Sequence, residues 1–152
     1  MDSEQQLKEF IAKFTPQMGK LIRAARKKMR GFIPQAWELV YDNYNFFVIG
    51  YGPSEKAGDA IFSLAAQAKG LTLCFLQGAK LPDPHKLLRG SGNVVRSIRI
   101  ETADTFDDPN VRQLMEVALK RAKSPLTVGS TGQLIIKSVS AKQRPRQVPV
   151  KK

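Results

Sequence analysis

Acidic residues are scarce in this 152-residue chain: 13 Asp and Glu stand against 25 Lys and Arg, a formal net charge of +12. A surface with that imbalance repels cations and draws polyanions. Cysteine is rarer still. Cys74 is alone, so it has no internal partner for a disulfide, in keeping with a reducing cytoplasm. The single histidine, His85, has no HExxH, HxxxH or cysteine companion, which excludes the usual zinc ligand sets. No apolar run approaches the roughly 18 residues that cross a bilayer. The N-terminus, MDSEQQLKEF, is too polar and acidic for a secretory signal. These absences predict a cytoplasmic protein without a membrane partner. GxSxG, Walker and GxGxxG patterns are missing as well. The expectation is a non-enzymatic protein with no catalytic residues, no metal and no cofactor.

What is present is enough apolar residue, 42%, to build a core without staples. Leu7, Phe10, Ile11 and Phe14 recur at helical spacing and predict a first helix. Thr15-Pro16 caps a second helix, with Met18, Leu21, Ile22, Ala25 and Met29 on its inner face and Gly31 at its end. IPQAWELVYDNYN predicts a short third helix from Pro34, with Trp37, Val40 and Tyr41 turned to the core. NFFVIGYG (45–52) is β-branched and aromatic and predicts a strand. AIFSLAAQ (60–67) and LTLCFLQG (71–78), joined by a short turn, predict a hairpin. VVRSIRIE (94–101) alternates as a further strand, with Ile98 and Ile100 inward. Asp108-Pro109 starts an amphipathic helix through Val111, Leu114, Met115, Ala118 and Leu119, and GQLIIKSVS supplies a last strand.

Hairpin-linked strands with helices mostly at the ends predict an α+β class: a single compact domain over 1–140 with a mostly antiparallel sheet of about five strands and helices on one face. Residues 141–152, AKQRPRQVPVKK, read as a basic, flexible tail with too little apolar content to order itself. Between the hairpin and the next strand, LQGAKLPDPHKLLRGSGN (76–93) has the glycines of a phosphate cradle. They follow a predicted short helix at Asp83-Pro84 instead of feeding one, which is the wrong order for binding at a helix N-terminus.

The charge is unevenly placed. Six basic residues and no acid lie between Lys20 and Arg30, and no acid follows Glu116. On the second helix Lys20, Arg23, Lys27 and Arg30 fall at spacings of three, four and three, one cationic stripe. Near the C-terminus Ser138 and Ser140 alternate with Lys137, Lys142, Arg144 and Arg146, a run of donors suited to phosphate or carboxylate. The candidate partner-binding residues are therefore Arg23, Lys27, Arg30, Lys137, Ser138, Ser140, Lys142, Arg144 and Arg146. The partner they imply is nucleic acid, an acidic protein or an anionic ligand, met by a monomer or weak dimer.

Taken in order, WELVYDNYNFFVIGYGPSE, AIFSLAAQAKGLTLCFLQGAKLPDPHKLLRGSGNVVRSIRIE and IIKSVSAKQRPR resemble the YdhG-like family of domains of unknown function, from about Phe10 to Arg146. The resemblance implies a compact frataxin-like α+β fold and no established reaction or catalytic residues. The frataxin-like label raises an alternative, a frataxin-type iron- or metal-handling chaperone. Iron favours clustered carboxylates. The one acidic ridge, Glu101, Asp104, Asp107, Asp108 and Glu116, is diluted by Arg99 and Arg112, and the net charge opposes cation binding.

Overall fold

The computed structural model describes residues 2–148. In chain order the elements are α1 (Ser3–Ala12), α2 (Pro16–Phe32), β1 (Trp37–Asp42), β2 (Phe47–Gly52), β3 (Phe62–Gln67), β4 (Gly70–Phe75), β5 (Arg96–Ile100), α3 (Pro109–Arg121) and β6 (Leu134–Val139). The strands form one sheet in the order β5-β4-β3-β2-β1-β6. Every neighbouring pair is antiparallel except β1 and β6, which run parallel. The α+β class and the mostly antiparallel sheet are as the sequence predicts, with six strands in place of about five.

The helices begin where the chemistry of their first residues dictates. Asp2 and Gln5 make a reciprocal capping box on α1. The Thr15 hydroxyl accepts from Met18 N–H ahead of Pro16, and the Asp108 carboxylate accepts from Asn110 and Val111 ahead of Pro109. Each such cap contributes on the order of 1 kcal/mol. α2 runs one residue past Gly31 and stops before Pro34, whose ring disfavours helix at the residue before it.

One face of the sheet carries the core. Phe47, Ile49 and Tyr51 of β2 stand beside Phe62, Leu64 and Ala66 of β3, then Leu71, Leu73 and Phe75 of β4 and Ile98 and Ile100 of β5. Leu7, Phe10 and Ile11 of α1, Ile22, Ala25 and Met29 of α2, and Val111, Leu114 and Met115 of α3 pack onto them. Phe14 meets Phe47 edge-on at 6.0 Å, and Phe62 meets Phe75 at 5.6 Å. Near the end of β2 the chain needs a glycine for space: a Cβ on Gly52 would lie 2.9 Å from the Ala60 Cα of the loop above it.

Three expectations are corrected. WELVYD is strand β1, not helix. Trp37, Val40 and Tyr41 satisfy helical spacing, but the row that faces the core is Glu38, Val40 and Asp42, paired with Tyr51, Ile49 and Phe47 of β2. A strand whose inward row holds two acids does not look like one in the sequence. It is stable because both acids are neutralised from above, as described below. Second, Asp83-Pro84 starts a turn, not a helix. The Asp83 carboxylate accepts from Leu87 and Leu88 N–H, and Lys86 takes the left-handed φ of 54°. Third, residues 141–148 are not a loose tail: Gln143, Arg144, Arg146 and Gln147 are all hydrogen-bonded to the body of the fold. Residues 149–152 of the expected tail lie outside the described residues.

Candidate anion-binding surface

α2 is amphipathic with its basic residues divided between two tasks. Arg26 turns inward. Its Nε and Nη2 donate to the Glu38 carboxylate at 3.0 and 2.9 Å, and its Nη1 and Nη2 donate to Glu4 of α1 at 3.1 and 2.8 Å. Glu38 also accepts from the Tyr51 hydroxyl at 2.9 Å. Burial works against the Arg26 charge, but the bonds to Glu38 and Glu4 outweigh it and hold the guanidinium above its ordinary range. Burial, then the adjacent Glu38 charge, pushes the Tyr51 phenol well up. Lys28 pairs with Asp107 at 2.6 Å.

The rest of the stripe faces water. Lys20, Arg23 and Lys27 are exposed and have no carboxylate or hydrogen-bond partner among the described residues. Arg30, 59% exposed at the side chain, reaches only to 4.0 Å from Glu38. Ten residues at about 1.5 Å rise spread these four charges over about 15 Å of helix. A single DNA strand places about four phosphates in that length.

The basic run from Lys137 in β6 to Arg146 beyond it is not one surface. Lys137 Nζ donates to the Glu55 carbonyl of the β2–β3 loop. Ser138 Oγ donates to Asn43 Oδ1 at 2.7 Å, and Ser140 N–H donates to the Asp42 carbonyl. Lys142 is exposed without a partner among the described residues. Arg144 Nε donates to Asn45 Oδ1 at 2.8 Å, with its guanidinium 5.6 Å above the Tyr44 ring. Arg146 is buried at 5% exposure, its Nη2 donating to Asp42 Oδ1 at 2.9 Å and to the Asn43 carbonyl at 2.6 Å. Asp42 also takes Lys13 at 2.6 Å. Arg146 is thus an anchor of the chain, while Lys137, Lys142 and Arg144 of this run are exposed, Lys137 with its ammonium on the Glu55 carbonyl.

Of the nine candidate residues, the structure brings Arg23, Lys27 and Arg30 together on one helix face. It separates them from the C-terminal group: Arg30 approaches the start of β1 at Glu38, while Arg144 and Arg146 hold the turn after its end. No ion pair or hydrogen bond joins the two groups among the described residues. Sequence reasoning missed the buried acids Glu38 and Asp42. Their signal was the i, i+2, i+4 spacing of Glu38, Val40 and Asp42 between aromatic residues.

The acidic ridge is partly neutralised, since Asp107 is held by Lys28 and lies 3.8 Å from Arg112. Among the described residues no three His, Cys, Asp or Glu side chains gather as a metal ion would require. His85 lines a shallow cavity of about 90 Å³ against α3, beside Asp83, Leu87, Asn110 and Gln113. No helix of the described residues is long and apolar enough to cross a membrane. The chain matches no family model, no curated protein and no solved structure at a significant level.

Proposed function

We propose that this protein is a small, non-enzymatic, cytoplasmic binding domain of YdhG-like type that meets a polyanion, nucleic acid foremost, through the outer face of α2. One observation carries the reading: Lys20, Arg23 and Lys27 share one exposed helix face and have no acid to neutralise them among the described residues, although the same helix spends Arg26 and Lys28 on internal pairs. Unneutralised cations aligned along a rigid helix bind phosphate backbones by releasing condensed counterions, without reading sequence. No exposed aromatic ring belongs to that face to stack a base, so the reading is of backbone contact and not of base recognition. The test is fluorescence anisotropy with labelled 20-nucleotide DNA and RNA, single- and double-stranded, at low salt. The full chain binds, and K20A/R23A/K27A binds at least tenfold more weakly. Undetectable binding to every one of these probes, or an unchanged triple variant, overturns the proposal.

A further inference from the structure

Away from α2, three turns meet around a groove of about 360 Å³. Asn45 comes from the β1–β2 turn, Gln67 from the end of β3, Lys69 from the β3–β4 turn, and Arg144 and Gln147 from the segment after β6. Two cations and three carboxamides line it, and among the described residues no carboxylate does. Its volume falls within the range of small-molecule sites, about 300–1,000 Å³.

Arg144 is held in place and left available. Its Nε is fixed by Asn45 Oδ1, its backbone N–H donates to the Tyr44 carbonyl at 2.8 Å, and its guanidinium lies over the Tyr44 ring. Both terminal amino groups of the guanidinium are without a partner among the described residues, so the fork that suits two oxygens of one anion is free. Lys69 is exposed and its ammonium is likewise unpaired, while its carbonyl accepts from Arg99 Nη2.

Behind the groove wall, Arg146 pins the segment to Asp42 with its side chain only 3% exposed. Its Nε and Nη1 are buried and find no acceptor among the described residues. Buried donors normally have one. The buried Asp42 carboxylate is shared between the buried Arg146 and Lys13, whose side chain is 42% exposed and faces solvent. The positive field of the groove comes from Lys69 and Arg144, which line it.

We infer that this groove binds a phosphate monoester on a polar body: the phosphate sits between the Arg144 fork and the Lys69 ammonium, and the Asn45 amino group, the Gln67 carboxamide and the Gln147 side-chain oxygen hydrogen-bond the rest, since Asn45 Oδ1 already accepts from Arg144 and the Gln147 amino group already donates to the Lys13 and Phe14 carbonyls. The two cations match the near-dianionic charge of a monoester at neutral pH, and carboxamides both donate and accept, as the hydroxyls of a sugar or the edge of a base require. This site is independent of the α2 face and is not a polyanion surface.

Calorimetric titration of the full chain with inorganic phosphate, ribose 5-phosphate and adenosine monophosphate at low ionic strength tests it. The expected result is saturable 1:1 binding of a monoester at least fivefold tighter than of inorganic phosphate; preference for adenosine monophosphate over ribose 5-phosphate identifies a nucleotide body, and the reverse a sugar. R144A weakens binding at least tenfold and K69A severalfold, while K123A, which removes an equal charge at the end of α3, leaves it unchanged. In amide-detected NMR the side-chain NH₂ signals of Asn45 and Gln67 shift during the titration, a readout that does not depend on any variant folding. No saturable binding at millimolar concentration, equal affinity for inorganic phosphate and the monoesters, or equal losses in R144A and K123A would overturn the inference.

Discussion

Replacing Glu38 by Ala should be among the most damaging changes to this fold, and the structure gives the size of the loss. Glu38 is 7% exposed at the side chain and is the common acceptor of Arg26 and of the fully buried Tyr51 hydroxyl. Its removal orphans the hydroxyl, at about 1–3 kcal/mol. It also strips the α2 guanidinium of one of two carboxylates. A buried pair broken on one side costs about 3–5 kcal/mol, but Arg26 keeps Glu4 and is 14% exposed, so only part of that applies. About 4 kcal/mol in total is expected, which at ~2–4 °C per kcal/mol lowers Tm by about 8–16 °C. Urea unfolding followed by circular dichroism measures it, with the slope against denaturant checked for two-state behaviour. Arg26→Met/Glu38→Leu, which removes both charges and fills the space, recovers at least half of the loss. A Glu38→Ala protein within 1 kcal/mol of the wild type, or a double variant no better than the single, would refute the reasoning.

Two further outcomes follow from the same geometry. The Arg26 hydrogen bonds hold the Glu4 carboxyl below its ordinary 4.5. A carboxyl with a lowered folded-state value stabilises the fold above its unfolded value and stops doing so as pH falls through the folded one. Thermal melts between pH 6 and pH 3 should therefore fall less steeply below pH 4.5 in Glu4→Gln than in the wild type; parallel curves would contradict this. Burial pushes the Cys74 thiol above its ordinary 9.0, against a weaker opposing bond from Ser63. At pH 8 its reaction with a disulfide reagent should be at least tenfold slower in the native protein than in urea, and comparable rates would show that the thiol is not sheltered.

The sequence and the fold agree wherever a local rule points the same way as the tertiary environment. Thr15-Pro16 and Asp108-Pro109 are self-contained helix starts, so α2 and α3 were legible from a few residues. The β3–β4 hairpin was legible because its inward residues are apolar and its turn is short. β1 was not, because Glu38 and Asp42 face inward and their counter-charges come from Arg26 on α2, from Lys13 just past the end of α1 and from Arg146, which is 104 residues away from Asp42. No local window contains that pairing. Arg146 misled for the same reason: in a run of cations and prolines it looks solvated, yet Asp42 gives it a buried seat. The α2 stripe was visible as helical periodicity, but which of its cations are spent internally depends on Glu4, Glu38 and Asp107. The groove between the turns was invisible, since its walls come from Asn45, Gln67–Lys69 and Arg144–Val148.

The central claim is that the α2 face supplies the phosphate contacts, and its most direct measurement is the salt dependence of duplex DNA binding in wild type and K20A/R23A/K27A. Each phosphate neutralised contributes about −0.9 to the slope of log K against log salt. Loss of three contacts therefore flattens the slope by about 2.7. Equal slopes for the two proteins, whatever their affinities, would contradict the claim and move the binding surface off α2.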